Sequence, residues 1–152
     1  MKKILFTIAT LLCIACAGNA SAQDADRITG VYRVIGETTH ELSNVRIYKS
    51  GDTYEARIIW LEHPNDADGN PRLDELNPDP ALRNVPADEI VIVRGLRYDA
   101  RKDQWTGGKI YNPVDGKVYD AMAEFDSPDV LNMRGYVGKP MFGKTFEWKR
   151  LE

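Results

Sequence analysis

Four short strand-like segments follow one another in the last third of the chain, and they constrain the fold more than any other feature. They are residues 105–111, 117–125, 130–137 and 145–151. The residues between them are rich in Gly, Pro, Asn and Asp, as in the stretch 112–116. Short strands at regular spacing, separated by turn-forming residues, predict an antiparallel all-β barrel or sandwich.

A hairpin and two more strands are predicted upstream. In residues 53–60 apolar and polar side chains alternate, which is typical of a half-buried antiparallel strand. The side chains predicted to share one face are Tyr54, Ala56, Ile58 and Trp60. The other predicted strands are residues 27–35, 44–48 and 89–98. About eight strands close a small barrel, so we predict one antiparallel up-and-down β-barrel over residues 23–152.

The first 22 residues have the pattern of a secretory signal peptide. Lys2 and Lys3 precede the apolar stretch 4–17, and the small residues 20–22 form a cleavage site. The apolar stretch is shorter than the roughly 20 residues of a membrane-spanning helix, so we expect no transmembrane segment. A partial lipobox before Cys16 leaves a second interpretation open, in which a lipid on this cysteine tethers the protein. Both interpretations predict export to the periplasm or the extracellular space.

Composition excludes several classes of function. Cys13 and Cys16 both lie in the predicted signal peptide, so the mature chain would have neither a disulfide nor a thiol nucleophile. Removing the two signal lysines leaves 18 basic against 23 acidic residues, a net charge near −5. Nucleic-acid binders carry a basic footprint, so we expect no nucleic-acid partner.

No catalytic or metal-binding motif is recognisable. His40 and His63 are the two histidines, and neither has a second ligand at zinc-site spacing. The Asp-rich stretch 66–75 matches part of an EF-hand loop, but Pro64 occupies the first ligand position. No G-x-S-x-G nucleophile elbow is present. We therefore expect no catalytic residues, no metal and no cofactor, and a protein that is not an enzyme.

A long proline-rich connection interrupts the strands. Residues 61–88 contain five prolines, and proline cannot donate to the ladder of a central strand. One interpretation is a solvated crossover at one end of the barrel, with a helical turn at residues 80–83. The other is a flap over the barrel mouth, since long loops in compact domains are often functional.

Aromatic residues at strand positions leave two interpretations of the barrel interior. A solid aromatic core would suit a structural or protein-interaction module of the cell envelope, with an unknown protein partner. A cavity would suit a small apolar or amphipathic ligand. The candidate ligand-binding residues are Tyr54, Trp60, Tyr111, Arg134, Tyr136 and Trp148. Period two places Trp105 and Tyr111 on one face, while Gly107 and Gly108 predict a bulge or a close backbone approach.

The sequence resembles a family of secreted bacterial proteins catalogued as domain of unknown function 2147. The similar stretches are WTGGKIYNPVDG at 105–116, KVY at 117–119, MRGYVG at 133–138, GKTFEWKR at 143–150 and DELNPDPALR at 74–83. The resemblance implies an exported protein with a lipocalin- or calycin-like barrel, and it names no substrate. The Gly-x-Trp start of a lipocalin's first strand is only approximated by Gly30-Val31-Tyr32.

Overall fold

The structure is a computed structural model that describes residues 17–152, with side chains described from residue 22 onward. Eight antiparallel strands pair in chain order and close into a barrel. The strands are β1 Gly30–Ile35, β2 Leu42–Ser50, β3 Thr53–Leu61, β4 Val91–Asp99, β5 Gln104–Asn112, β6 Lys117–Ser127, β7 Val130–Tyr136 and β8 Gly143–Arg150. The predicted all-β barrel is confirmed, and the sandwich alternative is removed.

A helix, α1 Ala17–Asp26, precedes the barrel and runs through the predicted cleavage site after Ala22. Residues 1–16, including Cys13 and Cys16, lie outside the described residues, so signal cleavage and lipidation stay predictions. Within residues 17–152, no helix combines the length and the apolar character needed to cross a membrane.

The half of the barrel that contains Trp105 has a packed core, because large side chains lie opposite small ones on neighbouring strands. Trp105 on β5 lies opposite Ala123 on β6, and both are buried. Gly108 lies opposite Ala121, and Ala121 lies opposite Gly135 on β7. The small side chain of Ala123 therefore leaves room for the Trp105 ring, which packs edge-on against Phe125 with ring centroids 5.7 Å apart.

One end of the barrel is closed by a network around Arg150. The guanidinium of Arg150 donates to the carbonyls of Thr29 and Arg27 and to the hydroxyl of Tyr32. It lies 4.9 Å from the centre of the Tyr32 ring. Burial raises the pKa of Tyr32 to about 12, although the positive charge of Arg150 opposes the shift. Tyr32 therefore fills this end where the Gly-x-Trp pattern would place tryptophan.

The proline-rich connection crosses from β3 to β4 with little regular structure. It contains two short 3₁₀ helices, Pro80–Leu82 and Ala87–Glu89, the first of which confirms the predicted helical turn. Two isolated bridges, Asn65 with Pro71 and Leu73 with Pro86, fold the connection back on itself.

Candidate ligand-binding cavity

The end of the barrel opposite Arg150 holds a cavity of about 550 Å³. Its apolar lining includes Val34, Ile58, Ile90, Ile110, Phe146 and Trp148. Polar groups of Glu41, Ser43, Arg72 and Tyr119 border it as well. Ligand pockets for small molecules usually measure about 300–1,000 Å³ and are mostly apolar with a few polar groups. The cavity therefore has the size and the chemistry of a small-molecule site.

Three of the six candidate residues border this cavity: Tyr111, Tyr136 and Trp148. Trp148 is 2% exposed, and its ring lies 6.3 Å from that of Tyr32 at the closed end. Trp148 thus separates the packed half of the barrel from the open half.

Tyr111 borders the cavity, but it does not lie on the face of β5 that the alternation predicts. The ladder between β5 and β6 shifts between Trp105 and Gly108, which confirms the predicted bulge. After the bulge, Gly108 pairs with buried Ala121, whereas Tyr111 pairs with Val118, whose side chain is half exposed. Tyr111 therefore does not share the inward face of Trp105, and it lies at the rim beneath the proline-rich connection.

The connection is anchored on Tyr111 by a buried carboxylate. Asp74 is 3% exposed; its Oδ1 accepts a hydrogen bond of 2.5 Å from the Tyr111 hydroxyl, and its Oδ2 accepts one of 2.6 Å from Nδ2 of Asn77. Burial, and then the hydrogen bond to Asp74, raise the pKa of Tyr111 far above its usual value. The phenol therefore stays protonated and acts as a fixed donor.

Tyr54 is buried inside the barrel but does not border the cavity. Its hydroxyl donates to Oδ1 of Asp26 at the end of α1. Burial, followed by this hydrogen bond, raises the pKa of Tyr54. Tyr54 therefore belongs to the closed end.

Trp60 lies outside the barrel, which corrects its predicted position on the face of Tyr54. On β3, Ile58 pairs with Val45, but Trp60 pairs with the next residue, Asn44. The extra residue, Ile59, makes a β-bulge, and a bulge reverses the alternation beyond it. The Trp60 side chain is accordingly 41% exposed, and the guanidinium of Arg33 lies 5.4 Å from its ring.

Arg134 also differs from its predicted position as a polar group inside the barrel. Its guanidinium donates to the carbonyls of Pro140 and Gly143 and to Oγ1 of Thr145. These contacts hold the loop between β7 and β8, so Arg134 shapes the rim without bordering the cavity.

The sequence interpretation missed the aliphatic lining and the apolar rim. Large apolar side chains at the mouth are exposed, up to 73% for Met141. They are Ile35, Val114, Val137, Met141 and Phe142. Apolar residues in turns, such as Val114 between Pro113 and Asp115, were the available signal, because turns normally carry polar side chains.

An ion pair joins the proline-rich connection to the mouth of the barrel. Both carboxylate oxygens of Glu41 accept from Nη1 of Arg72, at 2.9 and 3.1 Å, and Oε1 also accepts from the backbone N–H of His63. Arg72 and Ala87 of the connection line the cavity. The connection therefore forms part of the cavity wall. In residues 17–152, no group of three or more His, Cys, Asp or Glu side chains is placed to hold a metal ion.

Comparison with known proteins agrees with this architecture. Residues 30–150 match the family described as uncharacterized protein conserved in bacteria (DUF2147). Among solved structures, the chain is similar to protein HP1028 from the human pathogen Helicobacter pylori, which is described as belonging to the lipocalin family. The two are 32% identical, the match covers 82% of this chain and 83% of that one, and the TM-score is 0.68. No curated protein matches the chain.

Proposed function

Since this chain belongs to the DUF2147 family of uncharacterised bacterial proteins, we propose that it binds a small apolar or amphipathic molecule in the open end of its lipocalin-like barrel. The observation that carries the proposal is the cavity of about 550 Å³ with its aliphatic and aromatic lining. Burying apolar surface there contributes roughly 25 cal/mol per Å².

The rim supports the same proposal. Monomeric proteins seldom expose neighbouring large apolar side chains without a function. Val114, Val137 and Phe142 are exposed and border the cavity. An apolar ligand that enters from this end therefore meets apolar surface before it reaches Ile110 and Trp148.

The solid-barrel alternative describes only the half of the barrel that Tyr32, Tyr54 and Trp105 fill. Ligand binding as proposed requires a cavity only in the other half of the barrel. It assigns no catalytic residue: His63, one of the two histidines, has a side chain that is 72% exposed and close to Glu41. We propose binding, not catalysis, as the activity.

Export is part of the proposal, and the pattern of residues 1–22 supports it. Mass determination of the protein from its own host would show cleavage after Ala22 or a lipid on Cys16. An intact N-terminus in the cytoplasmic fraction would contradict export.

Binding is tested with cis-parinaric acid, an apolar chain whose fluorescence rises when it leaves water. We expect saturable binding by the unaltered protein and at least tenfold weaker binding by Ile110→Trp, whose ring would occupy the cavity. Val118→Trp is the matched control, because Val118 is half exposed on the outer face of β6. Circular dichroism checks the fold, and Ile58→Phe serves as a second blocking variant. An unaltered protein that binds no probe, and that carries no co-purifying molecule in native mass spectrometry, would overturn the proposal.

A further inference from the structure

The ladder that closes the barrel is short between its first and last strands. β1 and β8 form two residue pairs, Tyr32 with Arg150 and Arg33 with Lys149. On its other side, β8 pairs with β7 along its length, from Gly143 to Lys149. Towards the mouth, Val34 and Ile35 of β1 have no ladder partner on β8, and we call this gap in the ladder the side window.

This side window has a defined frame. Its lower edge is the last residue pair, Arg33 with Lys149. Its upper edge is an ion pair in which Nζ of Lys144 lies 2.7 Å from Oε1 of Glu37. The hydrogen bond that Lys144 donates to Glu37 raises the pKa of Lys144, so the ammonium form is retained. One charged contact thus spans the gap between the two strands.

Two spaces adjoin the side window. Outside it lies a groove of about 640 Å³. Ile35, Glu37, Lys144 and Phe146 border both this outer groove and the cavity within the barrel. The two spaces are therefore adjacent, and the side chains of these four residues lie between them.

The outer groove carries an excess of positive charge, although the chain as a whole has a net charge of −3. Its cations are Arg33, Lys144 and Lys149, and its anions are Glu37 and Glu147. Within the described part of the chain, no carboxylate lies within 4.0 Å of the Lys149 ammonium or of the Arg33 guanidinium. Nε of Arg33 donates to Asn44 of β2, and its guanidinium lies 5.4 Å from the centre of the Trp60 ring, so Arg33 borders the groove from the β2 side.

We propose that the side window is the head-group subsite of an anionic amphiphile, such as a long-chain carboxylate, whose apolar chain occupies the cavity. This inference rests on the proposed function. Burying a carboxylate without partners is costly, so the head group must leave the apolar cavity. Arg33 and Lys149 offer it charge-assisted hydrogen bonds in contact with water, and Lys144 can exchange Glu37 for the ligand.

The mouth offers a poorer site for the same head group. The cations in the cavity wall are Arg72 and Lys144; Lys144 belongs to the side window, and both oxygens of Glu41 already bind Arg72. A ligand carboxylate there would face the negative charge of Glu41. The side window, where two cations have no carboxylate partner, is therefore favoured.

Two probes that differ only in charge test the inference: cis-parinaric acid and its methyl ester. We expect the double variant Arg33→Gln/Lys149→Gln to bind the acid about tenfold more weakly, in line with the loss of one or two charge-assisted contacts. Its affinity for the uncharged ester should not change. The matched control is Arg46→Gln/Lys102→Gln, which removes the same charges from exposed positions elsewhere on the barrel.

Each other outcome has a definite meaning. If the unaltered protein binds neither probe, the proposed function fails. If it binds both and the double variant changes neither affinity, the side-window subsite is wrong while cavity binding stands. Equal losses in the double variant and the control would mean non-specific attraction and would also overturn the subsite. A selective loss of acid binding in Arg72→Gln would place the head group at the mouth instead.

Discussion

The Tyr54 hydroxyl donates a hydrogen bond of 2.5 Å to Oδ1 of Asp26, which joins the end of α1 to a buried side chain of β3. Nζ of Lys49 donates to the same oxygen at 2.8 Å. Nearby, Nε1 of Trp105 donates to the carbonyl of Ala25. The segment that directly follows the predicted cleavage site therefore seals the closed end of the barrel and is part of its fold.

The contact between Asp26 and Tyr54 predicts a stability that depends on pH. The hydrogen bonds from Lys49 and Tyr54 lower the pKa of Asp26. A carboxyl group whose pKa is lower in the folded state stabilises the protein above its unfolded pKa, and this contribution is lost as pH falls through the folded value. We expect the unaltered protein to be more stable than Asp26→Asn at pH 7. The difference should begin to shrink near pH 4, the unfolded pKa of aspartate, and vanish only below the lowered pKa of folded Asp26.

Urea unfolding from pH 7 to pH 2 measures this difference. Asp68→Asn is the control, since it removes the same charge from an exposed carboxylate with no ion pair among the described residues. A difference between the unaltered protein and Asp26→Asn that stayed constant down to pH 2 would contradict the prediction.

The anchor between Tyr111 and Asp74 predicts a large cost for a small change. Tyr111→Phe removes one hydroxyl and leaves Oδ1 of Asp74 buried without its donor. An unsatisfied buried polar group costs about 1–3 kcal/mol. Tyr119→Phe is the control: its hydroxyl donates to Asp115 in an exposed setting, and such surface changes stay within about 0.5 kcal/mol.

Urea unfolding gives the two free energies of unfolding, and limited proteolysis reports on the connection. We expect faster cleavage within residues 62–90 in Tyr111→Phe. Equal stability and equal cleavage of the two variants would show that Asp74 does not anchor the connection.

The barrel could be predicted because its signals are local. Turn residues such as Asn112-Pro113 and Ser127-Pro128 mark strand ends, and period-two alternation marks the strands. Each predicted strand therefore agrees with an observed strand to within a few residues at either end. The long proline-rich connection also followed from one local property, the missing donor of proline. None of these inferences needs knowledge of which strand pairs with which.

The site could be predicted only in part. The face of the sheet on which a side chain lies depends on how its strand pairs with the neighbouring strand. Tyr54, Ala56, Ile58 and Trp60 alternate without a break in the sequence. The bulge at Ile59 exists only relative to Asn44 and Val45 on the neighbouring strand. The sequence of β3 alone therefore holds no sign that Trp60 turns outward. The aliphatic lining was missed for a related reason, since cavity walls and packed cores use the same residues.

The opposite positions of two tryptophans predict unequal effects on stability. Trp148→Ala empties a fully buried site between the packed and open halves of the barrel, and such truncations cost about 3–5 kcal/mol. Trp60→Ala removes a half-exposed ring from the outer face, and we expect a cost below about 1 kcal/mol. Thermal and urea unfolding of both variants check this order. The reverse order would place Trp60 in the core.

Substituting either glycine at the bulge in β5 should lower the stability of the protein, and the cause should differ between the two positions. Gly107 has a φ of +73° and no heavy atom within 4 Å of an added Cβ, so Gly107→Ala suffers only from its backbone, by about 1–2 kcal/mol. Gly107→Asn should cost less, because asparagine tolerates the left-handed region. At Gly108 an added Cβ would lie 2.7 Å from Cδ2 of Leu96, so its cost is steric.

A double variant separates the two causes. Leu96→Ala removes the atoms that crowd Gly108, so it should offset part of the cost of Gly108→Ala and none of the cost of Gly107→Ala. Urea unfolding of the single and double variants gives the coupling free energies. Equal coupling of Leu96 to both glycines would contradict the assignment, because it would mean that one steric contact accounts for both positions of the bulge.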